Sequence, residues 1–191
     1  MKLSISVMAH PSREKFIPYL KEKLGDIPVS MDNGIGIWEN CKNAWRLHDK
    51  TADYHVVIQD DAIIGKDFYN KAIKEISEHP GKAFSFYFGN RKTLEESAKR
   101  AEQNNGIEMG WISWGVAICL PIKIIPDMIQ YCDKLPLRLK KHDDTMIANF
   151  LRYKKITTWY PIPSLVDHRL EKSLVETDKS KGRKAYKFIG E

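Results

Sequence analysis

Two pairs of adjacent carboxylates dominate the chemistry open to this chain: Asp60-Asp61, preceded by Gln59, and Asp143-Asp144, preceded by His142. Pro163-Ser164-Leu165-Val166-Asp167-His168 adds an imidazole late in the chain, and Ala9-His10-Pro11-Ser12-Arg13 adds an imidazole and a guanidinium early. Paired carboxylate oxygens are hard ligands, suited to Mg²⁺ or Mn²⁺ carrying a diphosphate. Asp60 and Asp61 follow Tyr54-His55-Val56-Val57-Ile58, whose β-branched residues suit a strand buried on both faces. Carboxylates at the end of such a strand are costly unless a cation or a ligand neutralises them. The carboxyl ends of strands are also where open α/β sheets bind ligands. Asp is common after strands simply because it caps the next turn. Taken alone, the pair favours that plainer explanation; the remaining groups shift the balance.

Hydrophobic periodicity places these groups on an alternating β-α scaffold. Leu3 to Met8 alternates as a first strand, and Ser12 is a plausible N-cap for a helix with Phe16, Ile17, Leu20 and Leu24 on one face. Ile27 to Met31 forms a short strand before the turn residues Asp32-Asn33-Gly34. Trp38 to Leu47 is helical by the spacing of Trp38, Cys41, Ala44, Trp45 and His48, with the two tryptophans read as core. After the 54–58 strand, Phe68 to Ile76 is amphipathic and closes at His79-Pro80-Gly81. Phe84 to Phe88 alternates as a strand, while Thr93 to Asn104 is helix-prone but weakly apolar, hence exposed or mobile. Gly106 to Leu120 is aromatic and β-branched, and Pro121 to Cys132 is helical by period. His142-Asp143-Asp144 opens a helix carrying Met146, Ile147, Phe150 and Leu151, and Ile156 to Tyr160 is the final strand.

The front half reads β-α-β-α-β, which predicts an α/β fold: a three-layer α/β/α sandwich around a mostly parallel central sheet. Residues 1–168 form the domain, and 169–191 read as a basic arm laid over it. Neither a G-x-G-x-x-G after the first strand nor a Walker lysine loop is present. Phosphate charge must therefore be met by something else, and a metal on Asp60 and Asp61 would supply it.

Over 191 residues, 42% hydrophobic and 29% charged content are ordinary for a soluble globular chain with a substantial core. No apolar run approaches the length needed to span a bilayer, and Met1 to Val7 lacks the apolar core of a signal peptide, so a cytoplasmic protein with no transmembrane association is expected. Cys41, Cys119 and Cys132 lack C-x-x-C spacing and read as buried apolar fillers. The net charge of +6 permits a polyanionic partner. Its basic residues gather in three clusters: Arg91, Lys92, Lys99 and Arg100; Arg138, Lys140 and Lys141; and Lys179, Lys181, Arg183, Lys184 and Lys187. A solvated surface is the ordinary explanation of any one of them.

In their order along the chain, the strand-1 end (Ala9, His10, Pro11, Arg13), Gln59-Asp60-Asp61, His142-Asp143-Asp144 and Pro163 to His168 resemble the small metal-dependent glycosyltransferases of the GT-A fold. The likeness is to the phage and bacterial group with Q-D-D in place of the usual D-x-D. It extends to Trp114-Gly115 and the ending Arg183 to Gly190. It implies Mn²⁺ or Mg²⁺ held by Asp61 and completed by His168, with Asp60 assisting through ribose, sugar or metal-bound water. Gln59 stands where an acid is often found, which weakens ribose binding there. The resemblance implies a donor pocket drawing on Ala9, His10, Arg13 and Asp32 for the uridine of a UDP-sugar. Asn40 and Asn43, three apart on one helix, would reach sugar or phosphate. An inverting transfer needs a base for the acceptor hydroxyl, and the family places an acid at a helix start: here Asp144, narrowly preferred, or Asp143. Either also suits plain helix capping. Trp111 and Trp114 flank a bend and could stack on a sugar or base, burial being equally expected.

The acceptor expected from the positive charge and the likeness to phage members is a hydroxymethylated base in phage DNA, with the enzyme then in the host cytoplasm. A cell-surface glycan or lipopolysaccharide sugar is the alternative acceptor. Ranked below are a metal-dependent nuclease or phosphohydrolase using His142-Asp143 as ligands, and a non-catalytic nucleic-acid-binding module. His48, His55 and His79 lack the spacing that the nuclease scheme needs.

Overall fold

The computed structural model describes residues 1–139, 142–171, 174 and 184–191. Strand β1 (Leu3–Ala9) leads through a 3-10 turn (Pro11–Phe16) into helix α1 (Ile17–Leu24), then β2 (Val29–Met31), α2 (Ile37–Arg46) and β3 (Tyr54–Gln59). Both β2 and β3 pair parallel with β1, so the front half is the expected β-α-β-α-β unit. The chain continues as β4 (Ala62–Ile64), α3 (Phe68–Glu78), β5 (Ala83–Ser85), α4 (Glu95–Gln103), β6 (Gly106–Met109) and β7 (Ala117–Pro121). It closes with α5 (Ile125–Asp133), α6 (Asp143–Lys154), β8 (Thr158–Pro161) and β9 (Val166–His168).

Seven strands form one sheet in the order β2-β1-β3-β7-β5-β8-β6, in which only β7 and β6 run against the rest. The fold is α/β, with helices on both faces of this mostly parallel sheet. Period-two alternation sorts the side chains. Tyr54, Val56 and Ile58 of β3 face a core with Leu20, Phe68, Ala72 and Ile76, whereas Val57 faces the layer of Trp45, Ile147 and Phe150. In β7, Ala117 and Cys119 take the first face, Ile118 and Leu120 the second. Ile58 and Leu120 are fully buried, and truncating either to Ala should cost about 2–5 kcal/mol. His55, buried on the second face, is bonded by Ser4 Oγ (2.7 Å), Ser6 Oγ (3.0 Å) and the Ala44 carbonyl (3.2 Å). Desolvation holds its imidazole down at about 4, so it is a neutral core group.

Several local expectations need correction. The cap of the first helical segment is His10, whose ring accepts from the Ser12 N–H, because the chain winds a 3-10 turn before α1 begins. The 93–104 segment forms α4 and buries Ala98 and Ala101, small residues whose stripe a hydrophobicity count underweights. Gly106 to Leu120 is two strands separated by a loop at 110–116, and β5 stops at Ser85. A further strand, β9, follows the expected last one; it pairs with β4 in a small antiparallel sheet, Ala62 opposite His168. That pairing brings the late imidazole to the acidic pair.

Residues 184–191 lie along this small sheet. Ala185 N–H donates to Asp167 Oδ1 (2.7 Å) and Lys184 Nζ to Asp167 Oδ2 (3.1 Å). Lys66 N–H donates to the Gly190 carbonyl (2.7 Å). Lys140, Lys141, Lys179, Lys181 and Arg183 of the basic clusters lie outside the described residues. Among the described residues, no helix is long and apolar enough to cross a membrane.

Candidate functional site

A cleft of about 850 Å³ opens along the carboxyl ends of β1, β3 and β5, with the loop that precedes β7 closing one side. Gln59, the last residue of β3, and the two acids after it stand at its floor. The β3 strand hands the chain to β4 across Asp60 and Asp61, so both carboxylates are fixed at a switch between two sheets. Asp60 N–H donates to Met8 O (3.1 Å), and the Asp61 carbonyl accepts from Arg169 N–H (2.8 Å). The acids are 3% and 1% exposed, and the chain itself supplies a neutralising cation. Arg13 Nη1 stands 3.1 Å from Asp60 Oδ1 and 2.5 Å from Asp61 Oδ2. The backbone N–H of His10 donates to Asp60 Oδ2 (2.7 Å), and His168 Nε2 lies 3.3 Å from Asp61 Oδ2. Burial pushes the Asp60 carboxyl up; the His10 N–H pulls it back, Asp61 raises it and Arg13 lowers it.

The neighbouring residues divide into cleft surface and scaffold. Ala9 contributes its carbonyl, which accepts from Asp32 N–H (2.8 Å) and from Asn40 Nδ2 (2.9 Å). Asn40 Oδ1 accepts in turn from Ser30 Oγ (2.7 Å), so this side chain brackets α2 to the ends of β1 and β2. Asp32 lines the cleft, but its Oδ1 accepts the Gly34 and Gly36 N–H groups and so builds the turn into α2. Asn43 is not among the cleft residues, contrary to the expectation from its spacing. The Asn40 side chain is turned into the bracket, and a three-residue step on a helix rotates the next side chain about 60° away from it.

The opposite wall is the first turn of α6. Asp143 and Asp144 both face the cleft there, with His142 at the N-cap position and no side-chain cap bond. Asp144 Oδ1 accepts from Thr145 N–H (2.6 Å) and Thr145 Oγ1 (3.3 Å), which orients the carboxylate. Burial raises its carboxyl, offset by the Thr145 bonds and then by the positive charge of His142 and Arg91. Asp143 is pushed up to about 6, first by burial and next by the charge of Asp144; a hydrogen bond from the buried Cys41 thiol works against this. Between the walls sits Gly115. A Cβ there would come within 2.9 Å of Gln59 Nε2, 3.6 Å of Asp144 Cβ and 3.7 Å of Asp143 Oδ2. The absent side chain is what lets β3 and α6 approach.

Aromatic groups complete the rim. Trp114 is buried against Tyr87, Phe88 and Tyr160 but presents part of its ring to the cleft, where the Arg91 guanidinium lies 5.2 Å from its centroid. Trp111 is 43% exposed and lies outside the cleft lining, its indole N–H donating to Ser113 Oγ (2.9 Å). The Tyr160 hydroxyl pins this loop, donating to Trp111 O and accepting from Ser113 N–H, both at 3.1 Å.

The fold has a counterpart among solved structures. A197 from STIV matches over 100% of this chain and 97% of that one, with a TM-score of 0.55 and 12% sequence identity. A likeness at that identity is one of fold. A protein from Bacillus anthracis assigned as a glucose-1-phosphate thymidylyltransferase, solved in complex with a sucrose, covers 87% of this chain and 89% of its own at 12% identity, with a TM-score of 0.49. No protein-family model and no curated protein matches the sequence.

Asp61 and His168 at the floor offer two donors of the types that hold a small divalent cation. Asp61 Oδ1 and His168 Nδ1 are buried without a hydrogen-bond partner, so the donor set is not exhausted by the protein. Two ligand atoms at right angles on an octahedral ion stand about 3.0 Å apart for bonds of about 2.1 Å, close to the 3.3 Å between Asp61 Oδ2 and His168 Nε2. Among the described residues, a group of three donors with atoms within 4.8 Å of one another occurs elsewhere, at Glu75, Glu78 and His79 by the end of α3. It includes none of Asp60, Asp61, His168, His142 and Asp143. Sequence reasoning missed the pairing of Arg13 with the acids, the contact of Cys41 with Asp143, and Tyr87 and Arg91 as cleft residues. Only Arg13 carried a signal: a lone cation four residues after the end of the strand beside the acidic one.

Proposed function

We propose that the protein is a metal-dependent glycosyltransferase of GT-A type that moves a sugar from a UDP-sugar to an acceptor hydroxyl. The observation that carries this reading is the placement of two acid pairs across one cleft: Asp60-Asp61 with Arg13 and His168 on the floor, and Asp143-Asp144 in the first turn of α6. The full-length likeness to A197 from STIV supports the α/β fold on which this reading builds.

Asp61 and His168 would hold Mn²⁺ or Mg²⁺, which when bound supplies electrostatic stabilisation to the departing diphosphate. Arg13, held on Asp60, adds positive charge beside the phosphates. His10 and Asp32, on the same side of the cleft, contact the nucleoside, and Gln59 offers an amide towards the sugar. Ala9 and Asn40 hold the β1 and β2 ends in register for these contacts.

Asp144 acts as the base. One of its oxygens is fixed by Thr145, and its carboxyl is raised by burial, so it accepts a proton more readily than a free aspartate. Asp143 lies beside it, pushed up to about 6 by burial and then by the charge of Asp144. Arg91 places positive charge near this base, which favours an anionic acceptor. A hydroxymethylated base in phage DNA is the acceptor we propose. Such a base is extruded from the duplex to reach an enzyme pocket, and Trp114 offers an aromatic surface on this wall. The test is UDP release from UDP-glucose and Mn²⁺ with a panel of hydroxymethylated DNA, glycans and lipopolysaccharide. Turnover lost in Asp61→Asn supports transfer, and the productive acceptor decides between DNA and glycan. Nucleotide release from DNA without a UDP-sugar would replace the reading with a nuclease, and donor binding without turnover on any acceptor would replace it with a binding module.

A further inference from the structure

Arg13 already stands where a bound metal's charge would act. Its Nη1 is 2.5 Å from Asp61 Oδ2, and that same oxygen is 3.3 Å from His168 Nε2. A divalent cation bonded to this oxygen at about 2.1 Å would lie within about 4.6 Å of Nη1, the metal–oxygen bond and the ion-pair length laid end to end. The pair sits in a buried setting, Asp61 being 1% exposed, where like charges repel strongly. The guanidinium and the metal cannot share Asp61 unless negative charge arrives with the metal. Asp60, fixed on its other oxygen by the His10 N–H, gives Arg13 a second anchor when it leaves Asp61. The guanidinium fork matches phosphate oxygens in pairs.

We infer that Arg13 is a charge-exchange residue: it neutralises Asp61 in the ligand-free protein and passes to the donor diphosphate when metal and nucleotide enter together. The inference rests on the donor and metal reading above. Its consequence is strong positive coupling, each ligand binding poorly without the other, with the two enhancements equal by linkage.

The test measures Mn²⁺ alone, UDP alone and both together, by calorimetry and by the EPR signal of free Mn²⁺, on the full chain. In the wild type, UDP should tighten Mn²⁺ binding about tenfold or more, and Mn²⁺ should tighten UDP binding by the same factor. Arg13→Gln removes the competing cation, so it should bind Mn²⁺ alone about tenfold more tightly than the wild type, with the coupling factor falling towards one. Arg13→Lys keeps a charge but not the fork, and should fall between the two. A purely structural Arg13 would instead lower both affinities in parallel. Arg13→Gln should also melt below the wild type, and Mn²⁺ alone should restore more of its Tm than it adds to the wild type. Mn²⁺ affinity in Arg13→Gln no higher than in the wild type, or equal restoration of Tm, overturns the exchange. Wild-type binding of Mn²⁺ with UDP that Asp61→Asn abolishes would still uphold the metal reading. Absence of Mn²⁺ binding to the wild type under every condition overturns both.

Discussion

Asp60-Asp61 and Asp143-Asp144 are the same dipeptide on facing walls of one cleft, and the chain meets their charge by opposite means. The first pair is sunk below the surface between two sheets, with the Arg13 guanidinium on both acids and the His168 ring beside the second. The second pair sits in the first turn of α6, where the helix end and Thr145 provide partial charge from N–H and hydroxyl groups. Arg91 and His142 act on it only from a distance. Arg13 lowers the Asp60 carboxyl against the upward push of burial, whereas burial and the charge of Asp144 push Asp143 up to about 6. Identical residues therefore meet a full charge on one wall and chiefly dipoles on the other.

The contrast is broken most severely at Asp61. Asp61→Asn should weaken Mn²⁺-dependent UDP binding about 100-fold or more, beyond what loss of an outer contact produces. Isothermal calorimetry would read this, and unchanged affinity would remove Asp61 from the metal role. Asp144→Asn should lower kcat by about 10²- to 10⁴-fold while leaving donor affinity alone. Full activity in steady-state kinetics would transfer the base to Asp143 or end the scheme.

A pH profile sharpens the same contrast. Protonation of Asp143 removes the negative charge beside the base, so turnover should fall as pH drops through about 6, and Asp143→Asn should remove that step. The stability effect has the opposite sign. A carboxyl raised in the folded state contributes stability below its unfolded value, and that contribution is lost as pH rises through about 6. Thermal melts at pH 4.5 and 7 on the wild type and Asp143→Asn would show whether this dependence follows the residue. The smallest effect belongs to Cys41→Ala. Removing the thiol donor should raise the Asp143 titration, seen as a slight alkaline shift of the limb.

The parallel front half was legible because β-branched runs and helical spacing agree there, from Leu3 through Gln59. Both acid pairs could also be placed: one at a strand end, one at a helix start. Their environments could not be. Arg13 reaches the acids because Pro11 to Phe16 winds as a 3-10 turn, and a three-residue spacing rule written for α-helices gives no warning of that. Likewise, Asn40 and Asn43 look equivalent in sequence until the Ala9 carbonyl and Ser30 claim the first. The second sheet was missed because β4 and β9 are three residues each, too short for alternation to register. Its pairing nevertheless sets His168 beside Asp61.

Gly115 gives the molecule an adjustable gauge between donor and acceptor chemistry. Its φ is ordinary, so the position tolerates alanine in backbone terms, and the nearest obstacle is the free end of the flexible Gln59 side chain. A single methyl would swing that amide aside and wedge the two walls without dismantling either. Substrate size is thus open to retuning at one codon that leaves every charged residue in place.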